Sequence, residues 1–392
     1  MTMKQNVTSS ARRGTPDFLL LLLTFLLTGF GLVMVFSASS VIALEQTGNA
    51  FYYAKRQAIF AVAGTVGMFV LMNIPIGKLK PLLRPLFLTV LVMLALVPFF
   101  GTEGKGARSW FYIGSFGIQP TEFAKVAVIL YLAALITKKG EKIRDFKRGL
   151  MPSVIIVGVV AGLIMLQPDL GSCIILVLSA LLIITAGGAN LLHIFAAVAG
   201  VLAFAGIFIA AYLFSADSFG YRMARISCFL NPWSDPQGAC YQIVQSMYAF
   251  GHGELAGSGI GKSIQKLHYL PEPHNDFIFA IIGEELGFIG SIIFVLVYLT
   301  FLWRGLVIAV KCPDPFGNLA GIGIVGMIGI QAFVNMGGVT GTIPLTGVTL
   351  PLISYGGSSL LATMCGVGIL LGISRLNNRT EKEKRHAAKS SM

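Results

Sequence analysis

Residues 267–290 read LHYLPEPHNDFIFAIIGEELGFIG. Prolines, histidines and acidic or amide side chains crowd the entrance to a long apolar run, and Asp276 stands where that run begins. A carboxylate at the mouth of a membrane helix is costly unless it has a partner or a task. The segment therefore suggests chemistry at a membrane surface. The plain alternative is an Asp that caps a helix N-terminus. Further groups of interest lie elsewhere in the chain. Glu122 and Lys125 are spaced i, i+3 and can pair on one helical face. The pairing serves either a site or helix packing. Glu284 and Glu285 are adjacent, which points them to different sides of a helix, so one at most is expected to face a site. Asp169, with Pro168 before it, suits an N-cap. Ser354 and Ser358 flank a glycine pair, and no base sits beside either in sequence, so no serine nucleophile is expected.

The elements that carry these groups are membrane helices. The chain has 392 residues, 55% hydrophobic and 12% charged, with a mean hydropathy of +0.79. Soluble domains carry roughly 25% charged residues. Apolar runs long enough to cross a ~30 Å hydrocarbon core recur throughout. The expected fold is all-α: a polytopic membrane protein of ten spans forming one domain over residues 18–374. The spans expected are residues 18–41, 57–73, 86–100, 121–137, 151–166, 172–187, 191–214, 277–303, 318–337 and 358–374. A short segment (1–17) precedes them and a basic tail (375–392) follows.

With the N-terminus inside, 20 of the 29 Lys and Arg fall in inner segments, 8 in outer ones, and Lys125 within a span. The bias of basic residues to the cytoplasmic side then puts both termini in the cytoplasm. The net charge of +12 reflects this topology and attraction to anionic headgroups. Because the charges are spread over separate loops, nucleic-acid binding is not expected. Three outer loops remain, at 101–120, 215–276 and 338–357, and the second is by far the largest. Loops held on a rigid scaffold carry function, so the active surface should face outward. Within the large loop, Ile243, Val244, Met247 and Phe250 share one helical face. That suits a helix lying in the membrane interface or, equally, a packed loop helix.

Some signals are discounted. AGSGIGKS, residues 256–263, fits only a relaxed phosphate-loop pattern: Ala stands at the first position and no strand precedes it. Gly251, Gly253, Gly257, Gly259 and Gly261 either form a flexible turn or offer backbone N–H groups to phosphate. Residues 37–39 loosely resemble a signal-peptide cleavage site, but the apolar run before them is too long. The five cysteines show no metal-site spacing. Cys228 and Cys240 share the large outer loop, where an oxidising exterior permits a disulfide.

Several motifs together carry a resemblance. They are KGARSW (105–110), QPTEFAK (119–125), QPDLG (167–171), YRMARI (221–226) followed by Asn231-Pro232-Trp233, GIGKSIQKLHYLPEPHNDFIFAIIGEELG (259–287) and GTIPLTGVTLPLISYGGSS (341–359). Over nearly its full length the chain resembles the SEDS family of bacterial cell-wall proteins (shape, elongation, division and sporulation), nearer the FtsW and SpoVE branch than RodA. The resemblance implies a peptidoglycan glycosyltransferase of the bacterial cytoplasmic membrane. It would polymerise lipid II in division or spore-wall synthesis, beside a class B penicillin-binding protein and other division or sporulation membrane proteins. It implies that Asp276 is the general base for the acceptor's 4-hydroxyl. The chain departs from the family's His-Thr-Asp-Phe pattern, reading His274-Asn275-Asp276-Phe277.

For such a reaction the leaving pyrophosphate needs positive charge. Arg108, Arg222, Arg225, Lys262 and Lys266 stand in outer segments, and an Arg can grip phosphate bidentately. Each serves equally well as a headgroup contact. Trp110 offers an aromatic face to a sugar ring, and Glu122, Lys125, His274 and Ser358 complete the expected substrate-binding set. A divalent cation, Mg2+ or Mn2+, would suit a phosphate-leaving reaction, although the sequence offers no closed ligand set. Two rival classes stand beside this reading: a lipid II flippase, and a non-catalytic scaffold. A flippase usually shows internal repeats and paired broken helices, and no clear repeat is present. Gly321, Gly323, Gly326 and Gly329 in the ninth span are expected to receive a single-span partner, since small residues let helices approach.

Overall fold

The computed structural model describes residues 14–104, 107–114, 116–195, 199 and 227–390. Its long helices are α1 (Phe18–Thr47), α2 (Tyr52–Asn73), α3 (Leu83–Phe100), α4 (Pro120–Lys139), α5 (Met151–Met165), α6 (Leu170–Ala186), α7 (Tyr241–Gly253), α8 (Ile278–Val310), α9 (Pro315–Val339) and α10 (Gly357–Ser390). All but α7 coincide with expected spans. The expected seventh span, 191–214, lies almost wholly outside the described residues. The protein is a multi-pass, all-α membrane protein. Most helices run past the apolar limits expected of them, α8 to Val310 rather than 303.

Local chemistry sets the helix ends. Asp17, Asp169 and Asp314 each accept a backbone N–H from the first turn of α1, α6 and α9. The expected capping role of Asp169 is thus observed, with Ser172 N at 3.0 Å. The centre of the bundle is α4, α9 and α10, whose apolar windows are mostly buried. By contrast, α3 and the second half of α8 expose Leu88, Val92, Ile289, Ile293 and Leu296, as a face against hydrocarbon would.

The glycine series of α9 packs inward, which corrects the expectation of a partner face. A Cβ on Gly321 would meet Ala309. One on Gly323 would meet Ile183 and Ile129, one on Gly326 Leu182, and one on Gly329 Leu302. Small residues do allow close approach here, but between helices of this chain.

A second difference lies in α8. Its helical backbone breaks at Gly287, at φ 67° and ψ −169°. A break inside a membrane helix exposes polar groups that lipid cannot satisfy. The glycine-rich loop supplies the partners. Ser258 N and Gly259 N donate to the carbonyls of Glu284 and Glu285, each at 3.0 Å. On the other side of the break, Phe288 N and Ile289 N donate to Glu254 O and Leu255 O, at 2.9 and 3.1 Å. Gly257 (φ 83°) lies so close to the α8 backbone that a Cβ would strike the Glu285 carbonyl. The N–H groups of Ser258 and Gly259 are therefore engaged by α8 and do not offer a phosphate cradle.

Helix α7 is a packed loop helix rather than one lying free in the interface. Ile243 and Val244 are buried, Phe250 meets Gly283 and Phe279, and Ser246 Oγ donates to Val339 O at 2.7 Å. Cys228 and Cys240 form a disulfide, with Cα atoms 5.1 Å apart, and Ile243 and Met247 pack on it.

The loop between α3 and α4 carries the chain's strands among the described residues. It forms a small antiparallel sheet of β1 (Thr102–Gly104), β2 (Ala107–Ile113) and β3 (Phe116–Ile118), in that order. At the opposite end of the bundle the two chain ends meet. Arg375 Nε donates to Gly14 O at 2.9 Å, and Arg304 pairs with Asp17. Both ends of the described chain therefore lie on one side.

Candidate functional site

Asp276 occupies a tight turn just before α8. The N-cap of α8 is Phe277, without a side-chain hydrogen bond, so Asp276 is not the capping residue. Instead its main-chain oxygen accepts from Asn335 Nδ2 of α9 at 2.7 Å. The same Nδ2 donates to Val348 O at 2.7 Å. Gly347, next to Val348, lies beside the carboxylate: a Cβ there would stand 3.6 Å from Oδ2. Its φ of 74° favours glycine.

The rest of the turn is fixed on every side. His274 is buried between Tyr53 of α2 and Tyr355, with ring centroids 4.5 and 5.5 Å away. Its carbonyl accepts from Tyr355 N at 2.9 Å. Gln57 of α2 donates to Ser354 O at 3.0 Å, and its side-chain oxygen accepts from Gly356 N at 3.3 Å. Asn275 Nδ2 donates to Glu272 Oε2 at 2.6 Å, so Asn in place of Thr keeps a local hydrogen bond.

The loop at 101–120 packs against the start of α10. Arg108 and Trp110 both lie on β2, but the register shifts between them. Trp110 pairs with Thr102 and Arg108 with the adjacent Glu103, so a bulge separates the two and regular alternation does not set them on one face. Arg108 is exposed and Trp110 half-buried against Gly117 of β3. Ser358, at the start of α10, accepts from Gln119 N at 2.9 Å and so anchors the end of this loop. Burial pushes the Tyr355 phenol above its usual range; the Arg56 charge opposes this, while Tyr53, Tyr52 and Tyr112 of β2 add to it. Ser358 Oγ also donates to Gly117 O of β3 at 3.4 Å, which ties the small sheet to the start of α10.

Other expected residues are placed differently. Glu122 and Lys125 do pair, at 2.9 Å, but both are buried. Lys125 also donates to Gln331 Oε1 at 2.7 Å, and Gln331 Nε2 donates to Thr349 O at 3.1 Å. The pair therefore braces the loop at 338–357 through Gln331 and is closed off from solvent. Lys266 is likewise buried, and its ammonium meets Glu285 at 3.1 Å and Ser37 Oγ at 3.3 Å. That cation is already neutralised inside the protein. Both adjacent glutamates are buried. Glu284 accepts from Ser263 Oγ and from Ile264 N at 2.8 Å. Lys262 remains exposed, and Arg222 and Arg225 lie outside the described residues. Sequence reasoning missed Tyr53, Gln57, Gln331, Asn335 and Tyr355. Polar side chains within apolar spans were the available signal for Gln57, Gln331 and Asn335.

Among the described residues no group of three or more His, Cys, Asp or Glu could hold a metal ion. A divalent cation at Asp276 would rely on that carboxylate, with substrate phosphate and water as its other ligands, as Mg2+ often does.

A family model for cell cycle proteins, the FtsW, RodA and SpoVE group, matches residues 18–379. The chain belongs to this family. It is 43% identical over 369 residues to stage V sporulation protein E of Bacillus subtilis (strain 168), covering 93% of this chain and 99% of that one. It is 42% identical over 360 residues to a probable peptidoglycan glycosyltransferase FtsW of Geobacter metallireducens, covering 91% and 94%. Solved structures agree with this FtsW/RodA/SpoVE assignment. A chain from a peptidoglycan synthase complex that coordinates polymerization and crosslinking aligns with a TM-score of 0.74 at 29% identity, covering 92% of this chain and 98% of that one. The rod shape determining protein RodA of Thermus thermophilus aligns with a TM-score of 0.65 at 27% identity, covering 92% and 97%.

Proposed function

We propose that this protein is a peptidoglycan glycosyltransferase that polymerises lipid II at the outer face of the cytoplasmic membrane, in division or spore-wall synthesis. The observation that carries the reading is the Asp276 turn. Asn335 holds the main chain of Asp276 at the mouth of a membrane helix, and Gly347 stands beside the carboxylate. The sheet that bears Arg108 and Trp110 is tied through Ser358 to the start of α10.

In this reading the acceptor sugar's 4-hydroxyl gives its proton to the Asp276 carboxylate as its oxygen bonds to the donor's anomeric carbon. The bond from that carbon to the pyrophosphate oxygen breaks, and lipid-linked pyrophosphate leaves with the electron pair. Arg108 binds the pyrophosphate charge and Trp110 lies against a sugar ring. A base placed in this way contributes roughly 10²–10⁴-fold. Lys262, Arg222 and Arg225 remain further candidates for phosphate. Glu122, Lys125 and Lys266 act through the frame, by fixing the third outer loop and the segment that leads to Asp276. The partner is a class B penicillin-binding protein, and both termini are cytoplasmic.

The test is polymerisation of purified lipid II by the protein with its partner transpeptidase, wild type against Asp276→Asn. Loss of at least about 10² in rate, with folding and partner binding kept, is the expected result. A variant within a few-fold of wild type would sink the mechanism. The break at Gly287 is half of what the flippase reading would need. Transporters commonly use paired breaks, and among the described helices a left-handed break occurs only there. Flipping that persists in Asp276→Asn while polymerisation is lost would add that second activity.

A further inference from the structure

Asn335 lies on α9, one turn beyond Gln331, with 3% of its surface exposed. Its side-chain nitrogen donates both of its hydrogen bonds to carbonyls, those of Asp276 and Val348. Carbonyls only accept, so the orientation of the amide is fixed by its partners. Its oxygen Oδ1 is buried and has no hydrogen-bond partner among the described residues. A buried acceptor without a donor is destabilising, and in native proteins it asks for a reason. A residue kept only for packing would not need that oxygen.

The two carbonyls belong to the two walls of the site. Asp276 carries the carboxylate. Val348 follows Gly347, the residue that faces the carboxylate. A single side chain therefore fixes the main chain that presents the carboxylate and the loop that confronts it. The turn before α8 lacks a side-chain cap that could do this in another way.

We propose that Asn335 is a positioning residue for the reaction: it sets Asp276 against the third outer loop, and its Oδ1 accepts an O–H from water or a substrate hydroxyl in the same corner. The inference rests on Asp276 being the base. Substitution at Asn335 acts on turnover more than on substrate affinity, because it displaces the base and leaves Arg108 and Trp110 in place. A displacement of about 1 Å can cost on the order of 10² in rate.

The experiment uses the full chain with its partner transpeptidase and purified lipid II. It compares Asn335→Leu, Asn335→Asp and Asn335→Ser for kcat and KM across pH, and for thermal unfolding. Asn335→Leu is expected to lower kcat at least about tenfold at every pH, with KM within about twofold. Asn335→Asp has the same shape but, when ionised, cannot donate. Protonated, it regains one donor, so its activity relative to wild type should recover as pH falls, which a purely structural defect would not produce. Asn335→Ser keeps one donor and should retain more activity than Asn335→Leu. If Asn335→Leu does not fold, the pH ratio of Asn335→Asp decides alone. Turnover of Asn335→Leu within about twofold of wild type, or an Asn335→Asp deficit that is the same at every pH, overturns the proposal. An inactive Asp276→Asn together with a normal Asn335→Leu removes this inference and leaves the function standing. An active Asp276→Asn removes the function reading itself.

Discussion

Lys266 of the large outer loop and Glu285 of α8 form an ion pair of 3.1 Å, and both are buried. Ser37 of α1 donates to the same carboxylate at 2.6 Å. The neighbouring Glu284 holds the backbone of Ile264 and the hydroxyl of Ser263. Two adjacent glutamates thus clamp one turn of loop, and that turn leads into the Asp276 segment.

Removing one partner of such a pair leaves the other charge buried and uncompensated, which costs about 3–5 kcal/mol. Lys266→Met is therefore expected to lower the thermal unfolding temperature sharply in detergent. The double change Lys266→Met with Glu285→Leu should recover most of the loss, because apolar replacement of both partners is commonly neutral. A double variant as unstable as the single one would argue against a simple pair.

Arg108→Lys tests the outer cation. A lysine keeps the charge but loses the two-pronged grip on phosphate. The variant should fold normally and use lipid II less well, with a higher KM or a lower kcat/KM. Unchanged kinetics would remove Arg108 from the site.

Gly323→Leu tests the inward packing of α9. A Cβ at this position already meets Ile183 and Ile129. Overpacking a tight contact typically costs about 1–3 kcal/mol. Lower yield and lower thermal stability are expected, whether or not the transpeptidase is present. A stable variant that only loses its partner would restore the expectation that this face binds another helix.

Asp17 gives a pH test at the end of the bundle where the chain ends meet. Burial raises its pKa, but hydrogen bonds from Arg304 and Leu20 N together with the Arg304 charge outweigh it, so the carboxyl titrates below its ordinary 3.8. A folded pKa below the unfolded one adds stability above the unfolded pKa, and that stability is lost as pH falls through the folded pKa. Asp17→Asn should be less stable than wild type near neutral pH. The difference should shrink as pH drops below about 4, where the wild-type carboxyl begins to protonate in the unfolded chain. A gap that holds constant down to pH 3 would exclude the ion pair as its cause.

What the sequence by itself determined follows from short-range rules. Apolar runs marked the spans, because lipid admits only helices of sufficient length there. The i, i+3 spacing of Glu122 and Lys125 and the cap by Asp169 were legible because helix geometry alone sets those distances. Asp276 stood out because a carboxylate at a membrane helix is expensive. Only the tertiary structure decided what those groups touch. Lys266 meets Glu285 and Ser37, 19 and 229 positions away. Asn335 meets Asp276 from 59 positions away, and the glycine-rich loop completes the backbone at Gly287. The sheet in the first outer loop and the inward glycines of α9 belong with these. No periodicity encodes such contacts. They arise where a buried polar group must find a partner, and the partner is whichever segment the packing of the helices brings within reach.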